Sequence, residues 1–260
     1  MAEQKAVCPA VAFGTGTADY LSPDMPGIRI VQSGCGVMRN GNRISLLRSG
    51  AAFRIEPGEK PSFLLLKPTF FLDFYLNDET AGLLRRGTPV FSPPHELRIL
   101  PERALLPVSS LGRECLELQN RKRPGYALAV LEKFLAVERL LLQTGEKPSG
   151  MESGIAETLL FMEENYSRDI TLNDLAGVIG VSVSYYRRSF QRILGTAPID
   201  FLLDLRLDRA AGLLAETGSS VAEIASATGF NDANYFSRLF SRRKGRSPRQ
   251  WRQSLRKNPD

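Results

Sequence analysis

The chain has 260 residues, 43% of them hydrophobic and 24% charged, with a formal net charge of +6 and a sequence pI near 9.4. That length holds one large domain or two ordinary ones with genuine cores. No apolar run reaches the roughly 18 residues of a membrane-spanning helix, and a basic excess permits a polyanionic partner without proving one. One early lysine and no apolar h-region predict no secretory signal, hence a cytoplasmic protein with no membrane partner.

The first 110 residues or so read as β-rich. Ile28–Val31, Ile44–Leu47, Ala52–Ile55, Phe63–Leu66 and Phe70–Tyr75 are short apolar runs separated by Gly, Pro and Asn. Asn40-Gly41 lies between two of them and predicts a hairpin turn. Many short strands with such turns suggest a small barrel or sandwich. Pro124-Gly125 then precede a helix predicted over 126–143, where Leu128, Leu131, Leu135 and Leu142 share one face with Phe134 beside it. That face packs on its own barrel or forms a dimer seam. The polar, Gly- and Pro-containing stretch Thr144 to Gly150 follows as a flexible linker. The predicted division is a regulatory or dimerisation domain over 1–145, a linker over 146–152 and an all-helical domain over 153–257.

Helix start and stop signals punctuate the second domain. Thr171 precedes Leu172-Asn173-Asp174, Ser220 with Glu223 makes a full capping box, and Ser247-Pro248-Arg249-Gln250 makes another. Gly195 and Gly245 sit where helices stop. A repeat runs through it. Leu175-Ala176 and Gly180 match Ile224-Ala225 and Gly229 at an offset of 49; Tyr185-Tyr186, Arg188 and Phe190 match Tyr235-Phe236, Arg238 and Phe240 at an offset of 50. A short helix, a turn with glycine and a second helix outline a helix-turn-helix, whose second helix enters the DNA major groove. Two such units read groove segments about one duplex turn apart, roughly 34 Å. The helix predicted from Ile199 to about Ala215, about 17 residues and about 25 Å long, is the natural spacer.

Helical phase selects the outward residues. With Tyr186, Phe190 and Ile193 inward, Ser184, Arg187, Arg188 and Gln191 face out; with Phe236, Leu239 and Phe240 inward, Asn234, Ser237, Arg238 and Arg242 do. Arginine pairs with guanine and asparagine with adenine in the major groove; a phosphate contact or an internal ion pair is the alternative for Arg188 and Arg238. Arg242, Arg243, Lys244 and Arg246 cluster at a helix end and read as phosphate contacts. Net charge is +3 on each side of residue 152, so it does not locate the site; the stretch from Phe236 to Lys257, with nine basic residues and no acidic one, does. Tyr235 and Trp251 read as packing residues in preference to base-stacking ones.

Ile224-Ala225, Gly229-Phe230, Tyr235-Phe236-Ser237-Arg238-Leu239-Phe240 and Gly245-Arg246-Ser247-Pro248, in this order and spacing, resemble the C-terminal signature of the AraC/XylS family of bacterial transcription regulators over roughly residues 153 to 257. The resemblance implies an α+β chain: a cupin-like β-barrel with helices, then seven helices carrying two recognition helices and one linker helix. It implies base contacts at 184, 187, 188, 234, 237 and 238. It also implies double-stranded DNA and RNA polymerase as partners, an activator that forms a homodimer, and an N-terminal domain that binds either a protein co-regulator or a small molecule. The stretch from Gly41 to Gly50 faintly resembles virulence and type III secretion activators, where the effector is a fatty acid or a partner such as a chaperone or anti-activator.

Catalytic chemistry has little to stand on. His95 is the only histidine, and Cys8, Cys35 and Cys115 lack a C-x-x-C pairing, so neither a zinc site nor a serine-histidine-acid triad is spelled out. The three cysteines read as reduced thiols, with nothing local to lower a thiol pKa for redox sensing. Gly14-Thr15-Gly16 lacks the P-loop lysine and dinucleotide spacing. The expectation is no enzyme, no cofactor and no metal.

Overall fold

The computed structural model describes residues 10–15, 27–55, 61–75 and 97–256. Cys8, Gly16, His95 and Lys257 lie outside the described residues. The chain divides into two compact units, Met1–Ala156 and Glu157–Asp260.

The first unit is a curled antiparallel sheet with helices. Its strands are β1 (Ala10–Thr15), β2 (Gly27–Asn40), β3 (Arg43–Arg48), β4 (Ala51–Ile55), β5 (Ser62–Tyr75) and β6 (Arg98–Ile99). They run in the order β1-β5-β2-β4-β6, and β3 shares with β4 the edge of β2 that β5 leaves open. Two predicted runs, Phe63–Leu66 and Phe70–Tyr75, are a single strand, β5, which follows β2 through three register shifts between Val31 and Gly36. Gly34 permits them: its φ is +110° and a Cβ there would stand 2.5 Å from the Cα of Thr69. The predicted hairpin is present, with Asn40 paired to Arg43 and Gly41 at φ +57°.

Period-2 alternation gives the sheet two buried faces. Ile28, Ile30, Leu72 and Phe74 face α1 (Glu102–Arg121) and α2 (Tyr126–Thr144). Between them Arg29, Val31, Phe71 and Asp73 face the other way, with Phe53, Leu97 and Ile99 in that second core. Arg29 grips Asp73 with two 2.7 Å hydrogen bonds, and the Tyr75 hydroxyl donates to the same carboxylate. Burial works against the Arg29 charge, but the hydrogen bonds and charge of Asp73 prevail and its pKa is raised. An ion pair this deep survives only with such bidentate geometry.

Two expectations are corrected here. Strand structure ends at Ile99, and α1 begins at Glu102, inside the stretch read as β-rich. Its buried positions are Ala104, Val108, Gly112 and Cys115, small residues that give a weak apolar period; Gly112 lets the helix settle on Leu72, where a Cβ would stand 2.8 Å from a side-chain carbon. The α2 helix matches its predicted span, but its deepest face is Val130, Phe134, Val137 and Leu141. Leu131 and Leu135 are half-buried beside it, while Leu128 and Leu142 are 73% and 43% exposed.

The stretch predicted as linker makes specific bonds within its own unit. Glu146 pairs with Ile99 through both backbone groups, and Arg98 donates to the Gly145 carbonyl. Glu152 accepts from Ser149 and from Arg48, at the start of α3 (Gly150–Asn165). The division at Ala156/Glu157 falls within α3.

The second unit continues through α4 (Leu172–Val178), α5 (Val183–Leu194), α6 (Pro198–Glu216), α7 (Val221–Ala227), α8 (Ala233–Lys244) and α9 (Pro248–Arg256). Thr171–Asp174 and Ser220–Glu223 form reciprocal capping boxes, and Ser247–Gln250 forms a third. Gly195 and Gly245 end α5 and α8 in the left-handed conformation, at φ +72° and +73°. No described helix is long and apolar enough to cross a membrane.

Candidate nucleic-acid interface

The duplication is visible in backbone hydrogen bonds. The Val181 N–H donates to Ala176, and the Phe230 N–H donates to Ala225; Gly180 donates to Gly177, and Gly229 to Ser226. Each pair is 49 residues apart, and both glycines have positive φ, +65° and +82°. The α4–α5 and α7–α8 units thus turn the same corner, and each presents its second helix on a buried aromatic back.

Those backs extend the repeat beyond what the sequence comparison caught. In the first unit Tyr186 packs on Phe190 at 5.6 Å and Phe190 on Phe201 at 5.7 Å. In the second, Phe236 packs on Phe240 at 5.6 Å and Phe240 on Trp251 at 5.8 Å. Phe201 and Trp251 are 50 residues apart, as are Pro198 and Pro248, and Gly195 and Gly245. The start of α6 is therefore to the first unit what α9 is to the second. The Gly-x-x-Pro-x-x-aromatic spacing carried this signal in the sequence. Farther along α6, Leu207, Ala210 and Leu214 join the core of the second unit with Ile224, Phe236 and Phe240.

Ser184, Arg187, Arg188 and Gln191 on α5 are exposed, and so are Asn234, Arg238 and Arg242 on α8, while Ser237 is half-buried. Ser237 donates its hydroxyl to the Ala233 carbonyl, leaving oxygen lone pairs as acceptors. Among the described residues, Arg187, Arg188, Arg238, Arg242 and Arg246 are in no ion pair. Arg243 and Lys244 are engaged: Arg243 bonds to Asp200 at 3.1 Å and lies 3.7 Å from Asp204, and Lys244 bonds to Asp208. Tyr235 is 42% exposed and packs its ring at 6.3 Å from Phe230, and Trp251 is half-buried against Phe240.

A groove of about 610 Å³ opens between the starts of α7, α8 and α9, lined by Ala233, Asn234 and Ser237 on one side and by Pro248, Arg249 and Arg252 on another. Arg252 is tied to the Leu214 and Ser219 carbonyls. Arg249 is exposed and in no ion pair among the described residues, which adds a cation beside Asn234 that the sequence reading passed over. Its repeat counterpart is Ile199, so the duplication gave no hint of it.

Among the described residues, burial also holds two thiols and a tyrosine in their neutral forms. Burial pushes the Cys35 thiol up to about 12 and the Cys115 thiol up to about 11. Burial likewise raises Tyr186 to about 12, although its hydroxyl bonds to Thr158. Among the described residues no three His, Cys, Asp or Glu side chains gather as a metal site.

Two exposed, basic second helices set around one central helix define a duplicated helix-turn-helix domain. Residues 175–254 match the family model described as a helix-turn-helix domain. The chain is 30% identical over 126 residues to the uncharacterized HTH-type transcriptional regulator YisR of Bacillus subtilis, covering 47% of this chain and 44% of that one. It is 30% identical over 141 residues to the HTH-type transcriptional activator RhaS of an Enterobacter species, covering 53% and 51%. The chain thus spans about half the length of these two curated relatives. A solved transcriptional regulator of Chromobacterium violaceum, titled as carrying an AraC-type DNA-binding domain, is 33% identical over 44% of this chain and all of its own, with a TM-score of 0.40. Residues 175–254 thus form a helix-turn-helix domain, and over it the chain is similar to AraC-type transcription regulators.

Proposed function

We propose that the protein is a sequence-specific transcription regulator that lays α5 and α8 in two successive major-groove segments of double-stranded DNA. The observation that carries this reading is that both second helices present arginines free of ion pairs, on helices whose opposite faces are fully buried. Ser184, Arg187, Arg188 and Gln191 read the first segment, and Asn234, Ser237 and Arg238 the second. Arg242, Arg246 and Arg249 anchor phosphates, as cations beside the reading face do. Similarity of this domain to relatives that carry the names regulator and activator supports activation, with RNA polymerase as the further partner.

The sheet unit serves regulation and self-association in a cytoplasmic homodimer that needs no cofactor and performs no catalysis. Leu106, Leu128 and Leu142 leave apolar surface on its helices that a second copy would cover. A protein co-regulator or a small molecule acts through the same unit.

Selection of binding sites from randomised duplexes at two salt concentrations tests the reading. Wild type is expected to enrich a bipartite site. Arg188→Ala should relax one base pair at a cost of about 1–3 kcal/mol, whereas Arg242→Ala should weaken all sequences alike and lower the salt slope by about one unit. Failure to enrich any sequence overturns the proposal.

A further inference from the structure

The sequence assigns Arg243 and Lys244 to phosphate, yet both lie against α6. Asp200, Asp204 and Asp208 occupy α6 at intervals of four residues and so form one stripe along the helix. Arg243 bonds to Asp200 and reaches Asp204, and Lys244 bonds to Asp208. The last turn of the second recognition helix is therefore laced to the central helix by consecutive cations. The α4–α5 helix-turn-helix has no such lacing: the positions 50 residues earlier are Ile193 and Leu194, both half-buried and apolar. The end of α5 is held by packing and the end of α8 by charge.

From this we infer that the α6 aspartate stripe is a positioning device that sets the bearing of α8, and that Arg243 and Lys244 are its clasps and make no DNA phosphate contact. The inference rests on the proposed function, because what it positions is the second reading helix. Three physical points support it. The cations stand at the C-terminus of α8, where positive charge also complements the helix dipole, so they stay at this end without DNA. A cation already paired with a carboxylate releases no counterion on meeting a phosphate unless that pair breaks, so its part in the salt slope is small. Finally, Leu239 and Phe240 fix the inward face of α8, but an apolar seam resists sliding and rotation less than directed contacts at the helix end. The lacing supplies that direction, and it fixes where Asn234 and Arg238 point.

A charge swap tests the clasp in the full chain. After a bipartite site has been selected with wild type, affinity is measured on that site and on versions with one base pair inserted or removed between its halves, at two salt concentrations. Lys244→Asp alone opposes two carboxylates; we expect an affinity loss of about tenfold or more and a weakened preference for the native spacing. Asp208→Lys with Lys244→Asp restores a pair at unchanged net charge, and it should recover affinity to within about threefold together with the spacing preference. Lys244→Met should leave the salt slope unchanged, whereas loss of a phosphate contact lowers it by about 0.9. A swap that fails to recover the spacing preference, or a Lys244→Met slope reduced by about one unit, overturns the inference while the regulator reading stands. Thermal unfolding of each variant shows that the comparison is made on folded protein. If wild type enriches no site, the proposed function fails instead.

Discussion

Replacing the turn glycines by alanine, one unit at a time, separates backbone strain from packing. Gly180 and Gly229 hold equivalent turns at φ +65° and +82°. An L-residue in the left-handed region costs about 1–2 kcal/mol, and at Gly180 nothing else is added, because no atom lies within 4 Å of the new Cβ. At Gly229 the Cβ would stand 2.8 Å from the Tyr166 carbonyl oxygen and 3.0 Å from Cζ and Nε of Arg206. That guanidinium donates to the Tyr166 carbonyl at 2.7 Å and to the Arg168 carbonyl at 2.6 Å, so it cannot retreat without loosening charge-assisted bonds. Overpacking of this kind adds about 1–3 kcal/mol, for a total of about 2–5 kcal/mol. Trp251, the only tryptophan, sits against Phe240 and reports on the second unit by fluorescence. In a domain of this size about 1 kcal/mol moves the midpoint by about 4–8 °C, so Gly229→Ala should melt at least about 4 °C below Gly180→Ala. Equal midpoints, or a lower one for Gly180→Ala, would refute the assignment of the difference to the Tyr166–Arg206 contact.

Three further outcomes are expected. The Ser220 hydrogen bonds hold the Glu223 carboxyl below its ordinary value, and those of Thr171 do the same for Asp174. A depressed carboxylate stabilises fully above its unfolded pKa and loses that contribution as pH falls through the folded one. Glu223→Gln keeps the cap without the titration, so the drop in urea midpoint between about pH 5.5 and about pH 3 should be smaller than in wild type; an unchanged drop would exclude the cap as its source. With Cys8 changed to Ser, the remaining thiols should label with maleimide at neutral pH only after denaturant is added, because burial raises both; prompt labelling of the native chain would contradict that. Leu128→Glu with Leu142→Glu should leave the melting temperature within a few degrees and convert dimer to monomer in sedimentation, whereas a monomeric wild type at micromolar concentration removes α2 as a seam.

The helical unit was legible because its signals are local. Capping boxes at Thr171 and Ser220 and stop glycines at 195 and 245 act within a few residues, and aromatic positions recur at fixed intervals. The sheet unit was legible only as runs of strand-forming residues: Gly34 and the register shifts that merge two runs into β5 depend on contacts with Thr69, a strand away. Helix α1 was hidden because its buried face is built from the small residues Ala104, Val108, Gly112 and Cys115, and Gly112 is fitted to the closeness of Leu72. At the interface, helical phase found the exposed arginines but could not tell a free cation from a paired one. Arg243 and Arg242 are neighbours in sequence; only the path of α6 beside one of them distinguishes the two.

Helix α6 serves at its beginning as the third helix of one reader and along its later turns as a wall of the other. A loop between the readers could lengthen by a residue with little consequence. In a continuous helix one added residue turns everything beyond it by about 100° and advances it about 1.5 Å, which would re-aim α8 relative to α5. Helix α6 is thus a vernier with a single usable setting. On the proposed reading, a target with a different spacing between its two segments would have to be accommodated by bending the duplex, with its own sequence-dependent cost.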